Sequence, residues 1–178
     1  MSIISKILPE DADLTDRPAG FVRGTRVMTA AGLCDVEALQ AGDRIVSACG
    51  AMVAVRAVRR RMVVRGTGGV VAVGGEARGL DRRAADLMLA PGQMIMVAGD
   101  RLAAYFGVEE ALAPVGALAN GRDLRMVDLP GAECWVEIVV ERPCLAVVEG
   151  LQVALGSGAA GDCPVLSEAE ARLLALAA

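Results

Sequence analysis

From Gly20 onward, glycine or proline interrupts the chain every few residues, and the stretches between these breaks are short and rich in valine. Valine fits a pleated, half-buried surface, and glycine supplies the backbone freedom that tight turns require. "TRVMTA", "RIVSA", "VVAV" and "MIMVA" each read as one strand. A clear helical pattern is confined to the end of the chain, "SEAEARLLALAA". There Ser167 precedes Glu170 by three residues, the spacing of a capping box, and Leu166, Leu173 and Leu174 are placed to form an apolar stripe. Strands at short intervals followed by one helix predict an all-β domain with a C-terminal helix.

The local readings follow from the same signals. An acidic, polar stretch between Pro9 and Pro18 marks residues 1–17 as an N-terminal arm, with the β domain over 18–163 and the helix over 164–178. "TRVMTAAGLCDV" reads as a hairpin, and "VEAL" as one helical turn with Asp35 as its N-cap. "AMVAVRAVRRRMVVRG" reads as a long strand. Its Arg56, Arg59, Arg60, Arg61 and Arg65 occupy a solvated face and lack the interleaved aromatics that single-stranded nucleic acid needs. "GTGGVVAVGG" is a pair of turns around a strand, because no Lys-Ser/Thr pair follows to make a phosphate loop. "RLAAYF" suits a short helix, and "VEEALAPVGALANG" suits a helix that Pro114 ends or kinks.

Composition narrows the chemistry. Histidine is absent from all 178 residues, so every mechanism that needs an imidazole base, proton shuttle or metal ligand is excluded. Aromatic residues are only 2% of a chain that is 54% hydrophobic, so the core must be aliphatic. The net charge of -4 argues against nucleic acid as a partner. Lys6 is the single lysine among the cations; the Arg, Ala, Gly and Val bias reads as a GC-rich bacterial genome. The opening "MSIISKILPEDADLTD" turns acidic too soon for a secretory signal, and no uncharged apolar run reaches the roughly 18 residues of a membrane span. A cytoplasmic location is expected, with non-classical export compatible.

The five cysteines, Cys34, Cys49, Cys134, Cys144 and Cys163, contain no CxxC and read as free thiols. Cys134 and Cys144 flank one β stretch and are expected to stay reduced. No metal and no cofactor is expected.

"GFVRGTRVMTAAGLCDVEALQAGDRIVSACG" resembles the first conserved block of Hint domains, the hedgehog/intein autoprocessing fold, and is most similar to the bacterial stand-alone branch. Phe21, Gly24, Thr25, Val36, Glu37, Leu39, Gly42 and Asp43 match the block. "LMLAPGQMIMVAGDRLAA" resembles the family's strand carrying Ser/Thr-Pro-x-His, with Pro91 on the proline. In "CWVEIVVERPCLAVVEG", Trp135, Glu149 and Gly150 keep the frame of a third block.

The resemblance implies a pseudo-twofold horseshoe of short strands. It also implies a chemistry in which a thiol at the block's first position attacks the preceding carbonyl, while a histidine polarises and protonates the amide. The sequence departs at each chemical position: Gly20 replaces the nucleophile, Ala90 the hydroxyl residue and Gln93 the histidine. A glutamine amide hydrogen-bonds but does not exchange protons near neutral pH.

A degenerate domain, acting as an interaction or structural module, is the leading expectation. Its old cleft would be the pocket to inspect, lined by Phe21, Thr25, Asp43, Gln93 and Trp135. Two alternatives are carried: an active autoprocessing domain using Thr25 or Cys34, and a small subunit of a larger assembly or homo-oligomer. Turn geometry explains Thr25 and Asp43 equally, and Cys34 lacks a basic partner. The partner expected is another protein.

Overall fold

The computed structural model describes residues 19–63, 69–128, 131–156 and 163–176. The N-terminal arm, Arg65, Gly66 and Gly68 fall outside these ranges. The described strands are β1 (Phe21–Val22), β2 (Arg26–Thr29), β3 (Gly32–Asp35), β4 (Arg44–Val46), β5 (Met52–Val63), β6 (Val70–Val73), β7 (Leu87–Leu89), β8 (Met94–Ala98), β9 (Glu110–Pro114), β10 (Leu124–Val127), β11 (Glu133–Val140), β12 (Cys144–Val148) and β13 (Leu151–Leu155). They pair in the order β10-β6-β7-β1-β11-β5-β4-β2-β12-β13-β8-β9, with β3 added to β2. The result is one antiparallel sheet curled into a half-barrel.

Strand β5 makes the curl. Its first residues pair with β4, from Val46↔Met52 to Arg44↔Ala54, and the rest of it pairs with β11. The register of β11 slips between Val139 and Val140, an irregularity of the kind that bends a sheet and tightens its twist. The arginines of β5 face outward, as the sequence predicts: Arg56, Arg59, Arg60 and Arg61 are exposed. Arg59 lies 3.7 Å from Glu137 on the neighbouring strand, and Arg60 donates to the Glu37 carbonyl at 2.7 Å.

The hairpin of "TRVMTAAGLCDV" forms in register, Val27 opposite Cys34 and Met28 opposite Leu33. The "VEAL" segment is a turn closed by Ala38 N–H on the Asp35 carbonyl at 2.9 Å, and not a helical turn capped by the Asp35 side chain. "RLAAYF" does form helix α1 (Asp100–Phe106), stopped where Gly107 adopts a left-handed φ of 70° and donates back to Ala103.

The segment read as a helix before Pro114 is a strand instead. Residues Glu110–Pro114 pair with β8 from Ala98↔Glu110 to Met94↔Pro114, and Ala111 to Val115 are all buried. Glu, Ala and Leu favour a helix locally, but a tertiary site buried on both faces overrides that weak preference.

Helix α2 (Glu168–Leu176) has the capping box. The Ser167 amide donates to the Glu170 carboxylate at 2.8 Å, and the Glu170 amide donates to the Ser167 hydroxyl at 3.3 Å. Residues 163–166 are not helical. They bond along β9, with Leu112 N–H on the Pro164 carbonyl and Leu166 N–H on the Leu112 carbonyl, and so cover an edge that would otherwise be open. The buried face carries Leu166, Ala171 and Leu174, whereas Leu173 is half exposed at 51%.

One largely aliphatic core includes Phe21, Val27, Leu39, Ile45, Leu89, Leu112 and Val153. A smaller cluster of Val63, Val70, Ala90 and Trp135 lies beside it. No described helix is long and apolar enough to cross a membrane.

Candidate functional site

The two-residue strand β1 is held between β11 and β7, Phe21 opposite both Val136 and Leu89, and Val22 opposite Trp135. The Gly20 carbonyl accepts the Ala90 amide at 3.1 Å. Gly20 has φ of +137°, and a Cβ built on it would lie 2.8 Å from the Val136 carbonyl oxygen and 3.3 Å from its carbon. Both the conformation and the space therefore select glycine, since L side chains rarely adopt such a φ and the obstacle is main chain.

Three residues after Ala90, the Gln93 amide N–H donates to the Ala90 carbonyl at 2.9 Å, so the Ala90–Gln93 turn is closed on itself. The Gln93 side chain is 4% exposed. Its Nε2 donates to the Ala154 carbonyl at 2.8 Å and to the Met94 carbonyl at 3.3 Å. The side chain thus ties the start of β8 to β13, and both donors are occupied by main chain.

The other expected pocket residues are engaged in the same way. Phe21 is fully buried in the main core. Thr25 Oγ donates to the Val22 carbonyl at 2.8 Å, closing the turn after β1. Asp43 accepts the Gln40 amide at 2.8 Å and holds the turn before β4. Trp135 is 3% exposed, and its Nε1 has no hydrogen-bond partner among the described residues. Two open cavities of about 480 and 550 Å³ lie against α2, and neither is lined by any of these five residues. The first is bordered by Asn120, Arg122 and Arg172, the second by Ile95, Val97, Leu102, Leu118 and Leu174.

The cysteines divide by environment. All five are free. Burial raises the Cys34 thiol above its ordinary value, and the carboxylates of Asp43, Asp35 and Glu37 raise it further, which suppresses the thiolate. Burial likewise raises Cys144 and Cys163. Exposed Cys49 is lowered, first by the Ser47 hydroxyl 3.1 Å away and then by the Ala51 amide.

Sequence reasoning missed Arg78. Its side chain is 1% exposed and reaches from the β6–β7 connection to the turn between β12 and β13. There it donates to the Glu149 carbonyl at 3.0 Å and lies 3.3 Å from the Glu149 carboxylate, while its other terminal nitrogen bonds the Ala85 carbonyl. Within "GGEARG" the one available signal was a lone arginine among turn residues, which does not tell burial from exposure.

The sequence profile of the Hint domain matches residues 19–154. The chain belongs to the Hint domain family. The solution structure of a bacterial intein-like domain from Clostridium thermocellum superposes with a TM-score of 0.56 at 14% identity, covering 79% of this chain and 99% of that one. The crystal structure of the MchDnaB-1 intein gives a TM-score of 0.49 at 12% identity, over 78% of this chain and 100% of that one. The intein-like domain, at so low an identity, is a likeness of fold. Among curated proteins none matches the chain. Within this Hint domain, the residues that shape the backbone of the first block occupy the turns expected of them. Gly42 N–H bonds the Val55 carbonyl at 2.8 Å and Val36 N–H the Thr25 carbonyl at 2.9 Å.

Proposed function

We propose that this Hint domain does not cleave the peptide bond ahead of Gly20 and serves as an interaction or structural module. The observation that carries the reading is the backbone at Gly20. The position where the family resemblance expects a nucleophile has no room for a Cβ beside the Val136 carbonyl, and its φ disfavours any side chain. Acyl transfer needs a nucleophile poised on the carbonyl and a proton donor at the leaving nitrogen. Gln93 at the donor position spends its amide on Ala154.

The autoprocessing alternatives draw no support from geometry. Thr25 is bonded to the Val22 carbonyl, and the Cys34 thiol sits among carboxylates that disfavour its ionisation. A role in protein contacts is supported by apolar side chains on the outer sheet face. Met28 is 38% exposed and faces Leu33, 57% exposed, across β2 and β3, and Val147 on β12 is also exposed.

The test is intact-mass analysis of the chain carrying an N-terminal fusion, incubated with and without added thiol. A single uncleaved species is expected. Release of the segment ahead of Gly20 would overturn the proposal. Sedimentation of the same protein distinguishes a partner-seeking monomer from a self-associating subunit.

A further inference from the structure

Cys49 and Cys144 lie far apart in sequence but flank one bridge between neighbouring strands, each two residues from it. Ser47 forms an antiparallel bridge with Ala146, and the Ala48 amide bonds the Leu145 carbonyl at 2.7 Å. Cys49 is the third residue of the 47–50 turn that leaves this bridge, and Cys144 stands two residues from Ala146 on β12, on the same face of that strand. The two thiols are near enough for the charge of Cys49 to act on Cys144. The Ser47 hydroxyl lies 3.1 Å from Cys49 Sγ, so the Cys49 side chain points back over this face. The Gly50 amide closes the 47–50 turn on the Ser47 carbonyl at 2.8 Å and holds it there. Cys49 is exposed, and Cys144 is buried.

The geometry points to a peroxide-reactive dithiol in which exposed Cys49 is the attacking sulfur and buried Cys144 the resolving one. The chemistry closes with hydrogen peroxide as the oxidant. Cys49 thiolate attacks one peroxide oxygen and the O–O bond breaks. Cys49 becomes a sulfenic acid, and the displaced hydroxide takes up the proton that Cys49 gave up, leaving as water. Cys144 sulfur then attacks Cys49 sulfur, the S–O bond breaks, and hydroxide leaves with the Cys144 proton as a second water. Two thiols lose two electrons in total, and one peroxide gains them.

The environments divide the roles. The Ser47 hydroxyl bond and the Ala51 amide favour thiolate at Cys49, with Arg142 adding a smaller effect, whereas burial keeps Cys144 protonated. Peroxide therefore meets exposed Cys49 first, and buried Cys144 follows as the resolving thiol. The product ties the β4–β5 turn to β12 across about half of the sequence, a crosslink that restricts the unfolded chain strongly.

The test uses the native chain treated with a small excess of hydrogen peroxide, blocked with an alkylating agent and mapped without reduction. The expected product is one Cys49–Cys144 linkage with loss of two hydrogens, and a thermal midpoint above that of the reduced protein. In Cys144→Ser the same treatment should leave a sulfenic acid at Cys49, trapped by a dimedone probe; Cys49→Ser should give neither product. Three results would each overturn the proposal: a linkage through Cys34, Cys134 or Cys163, no linkage in the folded wild-type chain, or dimedone labelling of Cys49 no faster than of Cys163.

Discussion

The Arg78 guanidinium, 1% exposed, is bound to the carbonyl and carboxylate of Glu149, a residue 71 positions away. Glu149 is the one described non-glycine residue with positive φ, at 47°, and its other carboxylate oxygen accepts the Arg26 amide at 3.0 Å. One side chain thereby joins the β12–β13 turn, the β6–β7 connection and the start of β2. Gly150, next in the turn, has the Arg78 carbonyl 2.7 Å from where a Cβ would stand, so the approach is close on both sides.

Removing Arg78 leaves a partly buried carboxylate and three carbonyls, those of Gly74, Glu149 and Ala85, without this donor. Arg78→Ala is expected to destabilise the fold by about 3 kcal/mol, at the lower end of the range for breaking a buried pair because Glu149 keeps some solvent contact. Arg78→Lys should recover little of this, since one ammonium does not reproduce a fork bonded to three carbonyls. Urea unfolding of the three proteins checks both statements; equal midpoints would refute them.

At Gly20, backbone strain alone should make Gly20→Ala cost about 1–3 kcal/mol, with the contact to Val136 adding to it. Gly20→Cys, alone or combined with Gln93→His, should remain uncleaved in the fusion assay, because the thiol would enter on a Cβ opposed by main chain. Thiol-induced cleavage of either variant would show that the site is dormant only by side-chain loss.

Gln93→Leu keeps the volume and removes the donor to Ala154, leaving a buried carbonyl unpaired at a cost of about 1–3 kcal/mol. Faster hydrogen exchange at β8 and β13 is the expected readout, with β2 and β3 unchanged.

Glu37 supplies a pH dependence. The Gly24 amide bond at 2.9 Å, and secondarily Arg23, lower its carboxyl below the ordinary 4.5, outweighing a contribution from burial in the opposite sense. A folded value below the unfolded one means that the ionised form stabilises the fold. That contribution is complete above the unfolded value and disappears as pH falls through the folded one. Glu37→Gln should therefore be less stable than wild type at neutral pH and converge with it as pH falls through the lowered folded value. Thermal midpoints across an acid series report the convergence.

Ser167→Ala removes the reciprocal cap of α2 and is expected to cost about 1 kcal/mol, seen as faster amide exchange over residues 168–176. The sheet should keep its midpoint, because the 163–166 segment is anchored separately by backbone bonds to Leu112.

Much of this molecule was legible from local chemistry. The β2–β3 hairpin, the outward arginines of β5, the short helix stopped at Gly107 and the Ser167–Glu170 box all depend on neighbours a few residues away, and each formed as read. The family frame was legible too, because turn geometry constrains glycines and aspartates at fixed spacings. Pairing across long separations decided the rest. β9 is extended because β8 and the 163–166 segment occupy both its edges, although its sequence prefers a helix. The Gln93 amide finds its acceptor 61 residues on, Arg78 finds Glu149, and Ser47 meets Ala146 only once β4 and β12 come together. The sequence alone determined which residues turn, which extend, and that no imidazole chemistry is possible. The assembled sheet decided which side chains share a place, because burial and hydrogen-bond satisfaction are properties of the whole backbone and not of any short stretch of it.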